Sequence, residues 1–573
     1  MPRRKQSSSP GRISGIHRSL RTTFGFEQLR PGQGEVIRSV MEGQDTLAVM
    51  PTGAGKSLCY QLPALHLEGT TIIVSPLISL MKDQVDKLQD RGLDALQVNS
   101  TLTSQGEESA LEQIEDETSD FVFTTPERLT NPEFLETLRG TTIDFVVIDE
   151  AHCISHWGHD FRPSYLALQP ALRELGDPPI LALTATATPE VIEDVKRQLG
   201  RPRMRVFDTG IYRPNLVFEV EHLSGEIEKQ AELLELLEKH GGTGIIYAAT
   251  VKHVEEVTSF LQSEGFEVLG YHGRLAAKRR KESQDRFMAG ELKAMVATNA
   301  FGMGIDKADI RFVIHYDLPG SLESYYQESG RAGRDGEPAS CILLYDSKDR
   351  RTQLFLLTGR YPTEKELQRV HSAVLELEAT GAPFTAAQLQ DHAAPVAKTK
   401  TRVALSRLQE AGIIREQRPG RYVRAGRKPR PAQLAELVAE WKRRDERDRD
   451  KLERMESYAR SALCRWRLLR EYFSEDTEER CDVCDNCRKG LAERAEVGEA
   501  RVRPEETART EPEGAPEQSS ELSPGDRVSL PRYGEGKVEE VVEDSVVVRF
   551  PDGRSRKFKS EFARPVRRSP QKR

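Results

Sequence analysis

The chain has 573 residues, of which 31% are charged, and its formal net charge is −7. This length has room for about four domains of ~150 residues, and the overall charge gives no sign of a nucleic-acid binder. No run of about 18 apolar residues is present, which predicts no spanning segment and no membrane partner. Seven cysteines suggest a reducing compartment, and the four between Cys464 and Cys487 are typical of a metal site.

Two sets of short apolar runs, separated by amphipathic stretches, predict an α/β chain. The first set occupies residues 13–210 and the second occupies residues 211–350. Each run has the length of a buried parallel strand, and each intervening stretch has helical spacing. Two successive alternations of this kind predict two tandem domains with parallel sheets.

The pattern changes after residue 350. Residues 361–427 show three helical stretches and then two short strands around a Pro-Gly turn, which is the order of a winged helix. Low hydrophobicity and few aromatic residues predict disorder in the stretch before the last short strands. We expect a disordered basic tail at 1–12, a winged-helix-like domain at 361–427, a helical zinc-binding module at 431–489, a disordered linker at 490–522, a small β-barrel at 523–566 and a basic tail at 567–573.

A glycine-containing segment, MPTGAGKS, lies between a predicted strand and a predicted helix. Backbone N–H groups of such a loop surround phosphates at the positive end of the helix. Lys56 would reach the β- and γ-phosphates of ATP, and the Ser57 hydroxyl would bind Mg²⁺. Met50 stands where the general pattern has its first glycine, so the loop departs from that pattern. The residues predicted to bind the nucleotide here are Thr52, Gly53, Gly55, Lys56 and Ser57.

An acidic pair ends the apolar run of FVVIDEAH. Asp149 would hold Mg²⁺, and Glu150 would orient and deprotonate the attacking water, because doubly wound sheets bind ligands at the ends of their strands. His152 completes this sequence box and is predicted to belong to the catalytic set. An exposed acidic turn would explain the pair alone, but its combination with a phosphate loop favours a nucleotide site.

The segment QESGRAGRDG in the second domain carries two arginines. Nucleotide hydrolysis by such motors needs positive charge from the second domain. We predict Arg334 as the arginine finger and Arg331 as its partner at the γ-phosphate, because residues three apart share a helix face. Gln327 is assigned to the same catalytic set. Solvated arginines on a helix are the alternative, which the complete QxxGRxGR pattern disfavours.

Several stretches, taken in order, resemble the RecQ family of superfamily 2 DNA helicases. They are LRTTFGFEQLRPGQ, KSLCYQLPAL, SPLISLMKDQ, LTATAT, ATNAFGMGIDKADIRFVIHYDLP and YYQESGRAGRDG, and they cover roughly residues 20–346. The resemblance implies RecA-like domains at 13–210 and 211–350 and an ATP-dependent, 3′→5′ helicase that unwinds DNA in repair or recombination. It also implies that Gln33 reads the adenine edge while Phe26 and Arg30 sandwich the ring, and that the chain is cytoplasmic, at the nucleoid if bacterial.

The stretch CISHWGHDFRP resembles the aromatic-rich loop of RecQ helicases, which couples DNA contact to ATP hydrolysis. By that resemblance Trp157, Phe161 and Arg162 contact DNA, and aromatic rings stack on bases at about 1–3 kcal/mol each. His156 stands where many members of the family carry Gln. Alternatively, Trp157 and Phe161, four residues apart, share a helix face and pack in the core.

Two other functions remain open at this point. The first is a double-strand DNA translocase or remodeller that uses the same motor without strand separation. The second is a catalytically silent DNA-binding scaffold, against which the intact Lys56, Asp149, Glu150 and Arg334 count strongly.

Four cysteines have the spacing C-x16-C-x2-C-x2-C, and they are Cys464, Cys481, Cys484 and Cys487. Four thiolates with two short steps suit a structural, tetrahedral Zn²⁺, and the spacing resembles that of the RecQ zinc module. RecQ enzymes usually carry zinc directly after the motor, whereas here the winged-helix-like segment comes first. Its candidate recognition helix, 398–411, carries Lys398, Lys400, Arg402 and Arg407, which would lie near phosphates. A solvated helix face explains these charges almost as well.

Residues 523–566 resemble the Tudor-like tail domain of UvrD-type helicases, a protein-docking module that can contact RNA polymerase. This resemblance implies a protein partner, RNA polymerase or a repair protein, at an SH3- or Tudor-like barrel. A flexible linker before the barrel would keep the motor close to whatever the barrel holds. A DNA clamp is the alternative, with phosphates bound by Arg554, Arg556, Lys557 and Lys559.

Overall fold

Two helix-covered parallel sheets, a helical region and a small antiparallel sheet follow one another along the chain. The computed structural model describes residues 10–100, 102, 104–116, 119–155, 161–302, 305, 307–358, 362–418, 420–425, 431–475, 477–496, 523–530, 534–542, 545–550, 555–559 and 564–565. Within these ranges, no helix has both the length and the apolar character that crossing a bilayer requires.

The first parallel sheet follows the first set of apolar runs. Its strands are β1 (Thr46–Val49), β2 (Thr70–Val74), β3 (Ala95–Val98), β4 (Phe121–Thr124), β5 (Ile143–Ile148), β6 (Ile180–Thr184) and β7 (Arg205–Asp208). Its helices are α1 (Pro10–Thr22), α2 (Gln33–Met41), α3 (Leu58–Ala64), α4 (Ile78–Gln89), α5 (Ser104–Glu115), α6 (Pro126–Leu129), α7 (Pro132–Arg139), α8 (Leu168–Glu174) and α9 (Pro189–Gln198). The strand order is β3-β4-β2-β5-β6-β1-β7, so β1, β6 and β5 are neighbours and the segments that follow them meet at one edge.

Helix α1 corrects the predicted disordered tail at 1–12. The helix already begins at Pro10, and its later residues Ile16 and Leu20 are buried against α3 with Leu62. An apolar stripe that can be buried stabilises a helix, and the proline suits a first turn, where its missing N–H costs no hydrogen bond. Residues 1–9 lie outside the described ranges.

The second parallel sheet has the order β10-β11-β9-β12-β13-β8 in the described ranges. Its strands are β8 (Leu216–His222), β9 (Thr243–Tyr247), β10 (Val268–Tyr271), β11 (Ala294–Ala297), β12 (Ile310–His315) and β13 (Ala339–Tyr345). Its helices are α10 (Glu226–Lys239), α11 (Val251–Ser263), α12 (Ala277–Met288) and α13 (Leu322–Ser329). The two buried sheets confirm the predicted α/β class with tandem parallel-sheet domains.

Three helices and a hairpin follow the second sheet and the helix α14 (Asp349–Thr358). They are α15 (Glu364–Glu378), α16 (Ala386–His392), α17 (Lys398–Glu410), β14 (Ile414–Arg418) and β15 (Arg421–Arg424). Thr363 and Thr385 cap α15 and α16 with capping boxes, in which each hydroxyl accepts from a backbone N–H one turn later. The element order agrees with the predicted winged-helix-like pattern.

The helical zinc-binding region begins with a long helix. It comprises α18 (Pro431–Arg460), α19 (Arg465–Tyr472), α20 (Asp485–Arg488) and α21 (Leu491–Glu496). At about 1.5 Å per residue, α18 is ~45 Å long. Its first half supplies Val438 and Trp441 to the core of the winged-helix-like segment, whereas Leu452 and Met455 pack in the core of the second sheet. Helix α21 corrects the predicted linker 490–522 at its start, because Ala492 and Ala495 are buried.

The C-terminal strands form an antiparallel sheet in the order β19-β18-β17-β16-β20. They are β16 (Arg527–Leu530), β17 (Gly534–Val542), β18 (Ser545–Arg549), β19 (Ser555–Lys559) and β20 (Arg564–Pro565). Val528, Val538, Val546 and Val548 form its small core. The described strands do not close into the predicted barrel, because no pairing joins β19 to β20. The remaining linker residues, 497–522, and the basic tail 567–573 lie outside the described ranges.

Candidate active site

The phosphate loop runs from the end of β1 to the start of α3. Gly55 has a φ of 82°, and a Cβ at this position would lie 2.5 Å from Nε2 of Gln33, so only glycine fits. The Lys56 Nζ donates to the Met50 carbonyl oxygen over 3.1 Å, which folds the side chain back over the loop. Ser57, the N-cap residue of α3, follows Lys56 directly. Burial lowers the pKa of the Lys56 ammonium, an effect opposed by the nearby acidic pair.

The predicted base-recognition residues contact this loop themselves. The Gln33 Nε2 donates to the carbonyls of Ala54 and Gly55 at 3.1 and 2.9 Å, and its Oε1 accepts from the Arg30 N–H at 2.8 Å. The Arg30 guanidinium also donates to the Gly53 carbonyl. In this structure the Gln33 amide therefore fixes the phosphate loop, while the Phe26 ring is 48% exposed. Adenine recognition by these residues stays a prediction.

Asp149 and Glu150 follow β5 at the edge where β1 also ends. The Asp149 carboxylate accepts from the Glu150 N–H at 3.0 Å and from the Ser75 hydroxyl at 3.4 Å. Burial, followed by the Glu150 charge, raises the pKa of Asp149 to about 7. Glu150 has a φ of 49°, a left-handed conformation that is uncommon outside glycine and is found at functional sites.

His152 lies beneath the acidic pair and is 3% exposed. Its Nδ1 is 3.4 Å from a Glu150 carboxylate oxygen and 3.0 Å from the Thr184 hydroxyl. Thr184 ends β6 and donates in turn to the Thr186 carbonyl over 3.0 Å. Thus His152 connects the Glu150 carboxylate to the LTATAT segment. Thr184 belongs to that segment, but its sequence alone did not indicate a role for this residue in the site.

The turn that carries the two arginines of the second domain lies beside the phosphate loop. A Cβ on Gly53 would lie 3.5 Å from Cγ of Arg334, and one on Gly330 would lie 3.4 Å from Cβ of Thr52. Arg331 is 6% exposed and donates to the Gly302 carbonyl. Gln327 lies on α13, near its end. The geometry brings the predicted finger Arg334 to the loop, with Arg331 fixed behind it.

The expectation that these arginines share a helix face is wrong. Helix α13 ends at Ser329, so Arg331 and Arg334 lie in the turns that follow. Gly333 has a φ of 56°, and a Cβ there would meet the Asn215 amide at 2.5 Å. Gly333, four residues beyond the end of α13, continues the turn in a left-handed conformation.

Arg213 holds this turn in place, although no sequence motif indicated it. Its guanidinium is 8% exposed and donates to the carbonyls of Gly330, Ala332 and Gly333 at 2.7, 2.8 and 2.6 Å. The Asn215 amide also donates to the Gly333 carbonyl, at 2.8 Å. Arg213 is therefore a backbone anchor for the segment that carries both arginines.

The predicted DNA-contacting residues are only partly described. Trp157, like His156, lies outside the described ranges. Phe161 is half-buried, has no helical conformation and does not belong to the buried core clusters found among the described residues. Arg162 donates to the Pro76 carbonyl over 3.1 Å.

The candidate recognition helix α17 presents its basic residues in different directions. Lys398 and Arg402 are exposed. The Lys400 ammonium lies 3.0 Å from the Glu366 carboxylate of α15 and is 17% exposed. Arg407 is 8% exposed and stacks on the Phe161 ring. That these residues lie near phosphates stays a prediction, although Arg407 is stacked on the Phe161 ring and Lys400 is paired with the Glu366 carboxylate.

The four clustered cysteines converge as predicted. The sulfur atoms of Cys464, Cys481, Cys484 and Cys487 all lie within 4.8 Å of one another. The Cys481 N–H donates to the Cys464 sulfur over 3.3 Å, and the Cys484 N–H donates to the Cys481 sulfur over 3.3 Å. Hydrogen bonds from the other three thiols, that of Cys481 first, hold the pKa of Cys464 far below its usual range. This set fits Zn²⁺, because four close thiolates need a cation. Cys59, Cys153 and Cys341 are buried, as expected.

A buried ion pair connects the cysteine cluster to the second sheet. The Arg465 guanidinium and the Asp485 carboxylate are 0% and 1% exposed and form two contacts, at 3.0 and 3.2 Å. The Asp485 carboxylate also accepts from the Val220 N–H over 3.2 Å, and the Trp466 Nε1 donates to the Leu216 carbonyl over 3.0 Å. The Val220 N–H and the Leu216 carbonyl both belong to β8, the strand that follows Arg213 in sequence.

Comparisons with known proteins agree with this arrangement. The DEAD/DEAH box helicase family matches residues 30–195, the helicase conserved C-terminal domain matches residues 228–336, and the RecQ zinc-binding family matches residues 432–488. A DNA- and AMPPNP-bound crystal structure of the DUF1998 helicase MrfA has a TM-score of 0.50 and 22% identity, and the match covers 74% of this chain and 63% of that one. This likeness concerns the fold alone.

Two relatives come from Bacillus subtilis (strain 168). The chain is 48% identical over 359 residues to the ATP-dependent DNA helicase RecQ, a match covering 62% of this chain and 60% of the relative, so it spans less than two thirds of that protein. It is 42% identical over 360 residues to the probable ATP-dependent DNA helicase RecS, a match covering 62% of this chain and 72% of the relative. With the two-sheet nucleotide site and the four-cysteine module in the same order, these matches place the chain in the RecQ family of superfamily 2 helicases.

Proposed function

We propose that this protein is an ATP-dependent DNA helicase that moves 3′→5′ and separates duplex strands in DNA repair or recombination. The observation that carries the proposal is that Arg334, in the turn after α13 of the second domain, lies next to Gly53 of the phosphate loop. A nucleotide between them would contact both domains, so its hydrolysis would change the orientation of one domain relative to the other. The RecQ relatives are named ATP-dependent DNA helicases, which supports DNA as the substrate and, for a bacterial chain, action at the cytoplasmic nucleoid.

Each residue then has a chemical task. Lys56 neutralises the β- and γ-phosphates. The Ser57 hydroxyl and Asp149 would hold a Mg²⁺ ion, which would supply further charge neutralisation on the phosphates. Glu150 accepts the proton of the water that attacks the γ-phosphorus as the bond to the β–γ bridging oxygen breaks. His152 orients Glu150.

The second domain stabilises the charge that develops in this reaction. Arg334 contacts the γ-phosphoryl oxygens and Arg331 supports it, because positive charge aimed at the leaving phosphates lowers the barrier. Gln327, near the end of α13 and before the turn that carries both arginines, completes the set. Arg30 and Phe26 hold the adenine ring, with Gln33 between the base and the loop.

ATP hydrolysis with different nucleic acids separates this function from its alternative. A helicase loaded on single strands should hydrolyse ATP faster with single-stranded DNA than with blunt duplex or RNA. A double-strand translocase would instead be stimulated by the blunt duplex and would release no strand. Hydrolysis that is indifferent to every nucleic acid contradicts both functions.

Arg213 provides a test of the arginine-finger assignment. Arg213→Lys keeps one positive charge but lacks the planar guanidinium whose two terminal nitrogens reach the three carbonyls, so the Arg334 turn should lose its position. We expect kcat for ATP hydrolysis to fall on the order of 10²-fold, the cost of a misplacement of about 1 Å, with little change in KM. Arg203→Lys, at an exposed position, is the matched control. An unchanged kcat in a folded Arg213→Lys protein would refute the anchoring role.

The C-terminal sheet is proposed as a protein-docking module for RNA polymerase or a repair protein. Its core is small, so it offers little concave surface for catalysis. Deletion of residues 523–573 should leave unwinding of tailed duplexes and DNA affinity nearly unchanged at low salt. A large loss of DNA affinity that disappears at high salt would instead assign phosphate binding to this segment.

A further inference from the structure

Two arginines that are distant from Phe161 in sequence stack on its ring. The Arg407 guanidinium carbon is 5.3 Å from the ring centroid, and that of Arg444 is 5.2 Å from it. Arg407 belongs to α17 of the winged-helix-like segment, and Arg444 belongs to α18. Both distances are within the range in which a guanidinium over an aromatic face is attracted by the ring quadrupole.

Burial strengthens these contacts. Arg407 and Arg444 are each 8% exposed, and cation–π attraction increases when the cation is removed from water. Their neighbours differ, because Arg443 and Arg402 are exposed. The two stacked arginines are therefore buried, whereas other basic residues of the same helices are solvated.

Both arginines stand on a fixed support. Helix α17 packs in one core with Val438 and Trp441 of α18, close to Arg444. Further along α18, the Lys451 ammonium lies 2.8 Å from the Glu323 carboxylate of the second domain. Thus the stretch of α18 from Arg444 to Lys451, about 10 Å at the rise of an α-helix, connects the Phe161 ring to α13 of the second domain.

The Phe161 ring is placed where its position can matter for the motor. It follows the acidic box of the first domain in sequence, and the next residue, Arg162, is bonded to the Pro76 carbonyl, close to Ser75. Ser75 donates to the Asp149 carboxylate. The ring also borders a cavity of about 990 Å³ that Arg407 and Arg444 line as well.

We propose that Arg407 and Arg444 are positioning residues that hold the Phe161 ring in place, a contact that we call the clamp. Through the clamp, α17 fixes the segment after the acidic box, which responds to DNA in the proposed motor. This inference rests on the proposed DNA-stimulated hydrolysis. It assigns the winged-helix-like segment to control of the motor, whereas a DNA-reading α17 would act through Lys398 and Arg402.

A double-mutant cycle tests whether the arginines act through the ring. The variants are Arg407→Ala, Arg444→Ala, Phe161→Leu and the two double variants, with Arg443→Ala as control. Leucine keeps apolar bulk but has no ring quadrupole for a cation. The measured quantities are the ratio of ATP hydrolysis with saturating single-stranded DNA to hydrolysis without DNA, and the midpoint of thermal unfolding.

Each single variant at the clamp should lower the hydrolysis ratio on the order of tenfold, as expected for loss of a desolvated cation–π contact. In the Phe161→Leu background, neither arginine substitution should lower it further, because contacting residues are not additive. Arg443→Ala should leave the ratio within twofold of wild type, about the error of independent sites.

Three results would overturn the clamp. They are additive losses in the double variants, an unchanged ratio in Arg407→Ala, and a weaker DNA affinity in Arg407→Ala that Phe161→Leu does not alter. If Arg407→Ala unfolds, Arg407→Lys retains the charge without the planar stack and takes its place. If wild type itself shows no DNA stimulation, the proposed function fails, whereas non-additive unfolding midpoints would still demonstrate the clamp.

Discussion

Glu150→Gln should reduce ATP turnover by roughly 10²–10⁴-fold, the range that general-base catalysis contributes, while ATP still binds. The amide keeps the shape of the side chain and its approach to His152, but it cannot take the proton of the attacking water. The measurement is kcat at saturating single-stranded DNA, together with the dissociation constant of a fluorescent ATP analogue.

Two further variants serve as comparisons for Glu150→Gln. Lys56→Ala removes the charge on the phosphates, so it should lose hydrolysis and most of the nucleotide affinity together. Glu127→Gln removes an exposed carboxylate on α6 and should hydrolyse ATP like wild type. A Glu150→Gln enzyme with kcat near wild type would show that another group accepts the proton.

Cys484→Ser should lose the zinc ion and much of the stability of the protein. Structural zinc binding is coupled to folding, with apparent free energies of about 10–16 kcal/mol in zinc-finger peptides. The Cys484 sulfur accepts from the Arg465 N–H over 3.5 Å, and Arg465 forms the buried pair with Asp485 that is bonded to β8. Loss of the metal should therefore loosen the module from the second sheet.

Elemental analysis and thermal unfolding measure the two effects. Wild type should contain about one zinc per chain, as expected for a four-cysteine site, and Cys484→Ser close to none. Cys341→Ala removes a buried thiol of the second sheet and should keep its zinc despite some loss of stability. Zinc retained in full by Cys484→Ser would contradict the site.

The α/β part of the fold could be predicted because its information is local. Continuous apolar runs such as FVVI form buried strands, and the strand ends bring Lys56 and Asp149 together through the neighbouring positions of β1, β6 and β5. The spacing of the four cysteines likewise specified the metal site, because knuckle-like x2 steps place two ligands on one ion.

The remaining features depend on contacts across long distances in sequence. Arg213 acquires its role from carbonyls more than a hundred residues away, which no local pattern encodes. The sequence predicted that Arg407 lies near phosphates. Helical spacing shows which residues share a face of a helix, but it does not show that the Phe161 ring covers Arg407. Helix α13 ends at Ser329, before both arginines, and the spacing of the two arginines does not show this end.

Strand displacement from tailed substrates tests the proposed helicase most directly. A labelled strand should be released from a 3′-tailed DNA duplex, with ATP and Mg²⁺ present, by wild type and not by Lys56→Ala. Blunt duplex and 5′-tailed duplex should release little, and tailed RNA should release none. Displacement only from 5′ tails, or ATP hydrolysis stimulated by duplex DNA without any strand release, would contradict a 3′→5′ helicase.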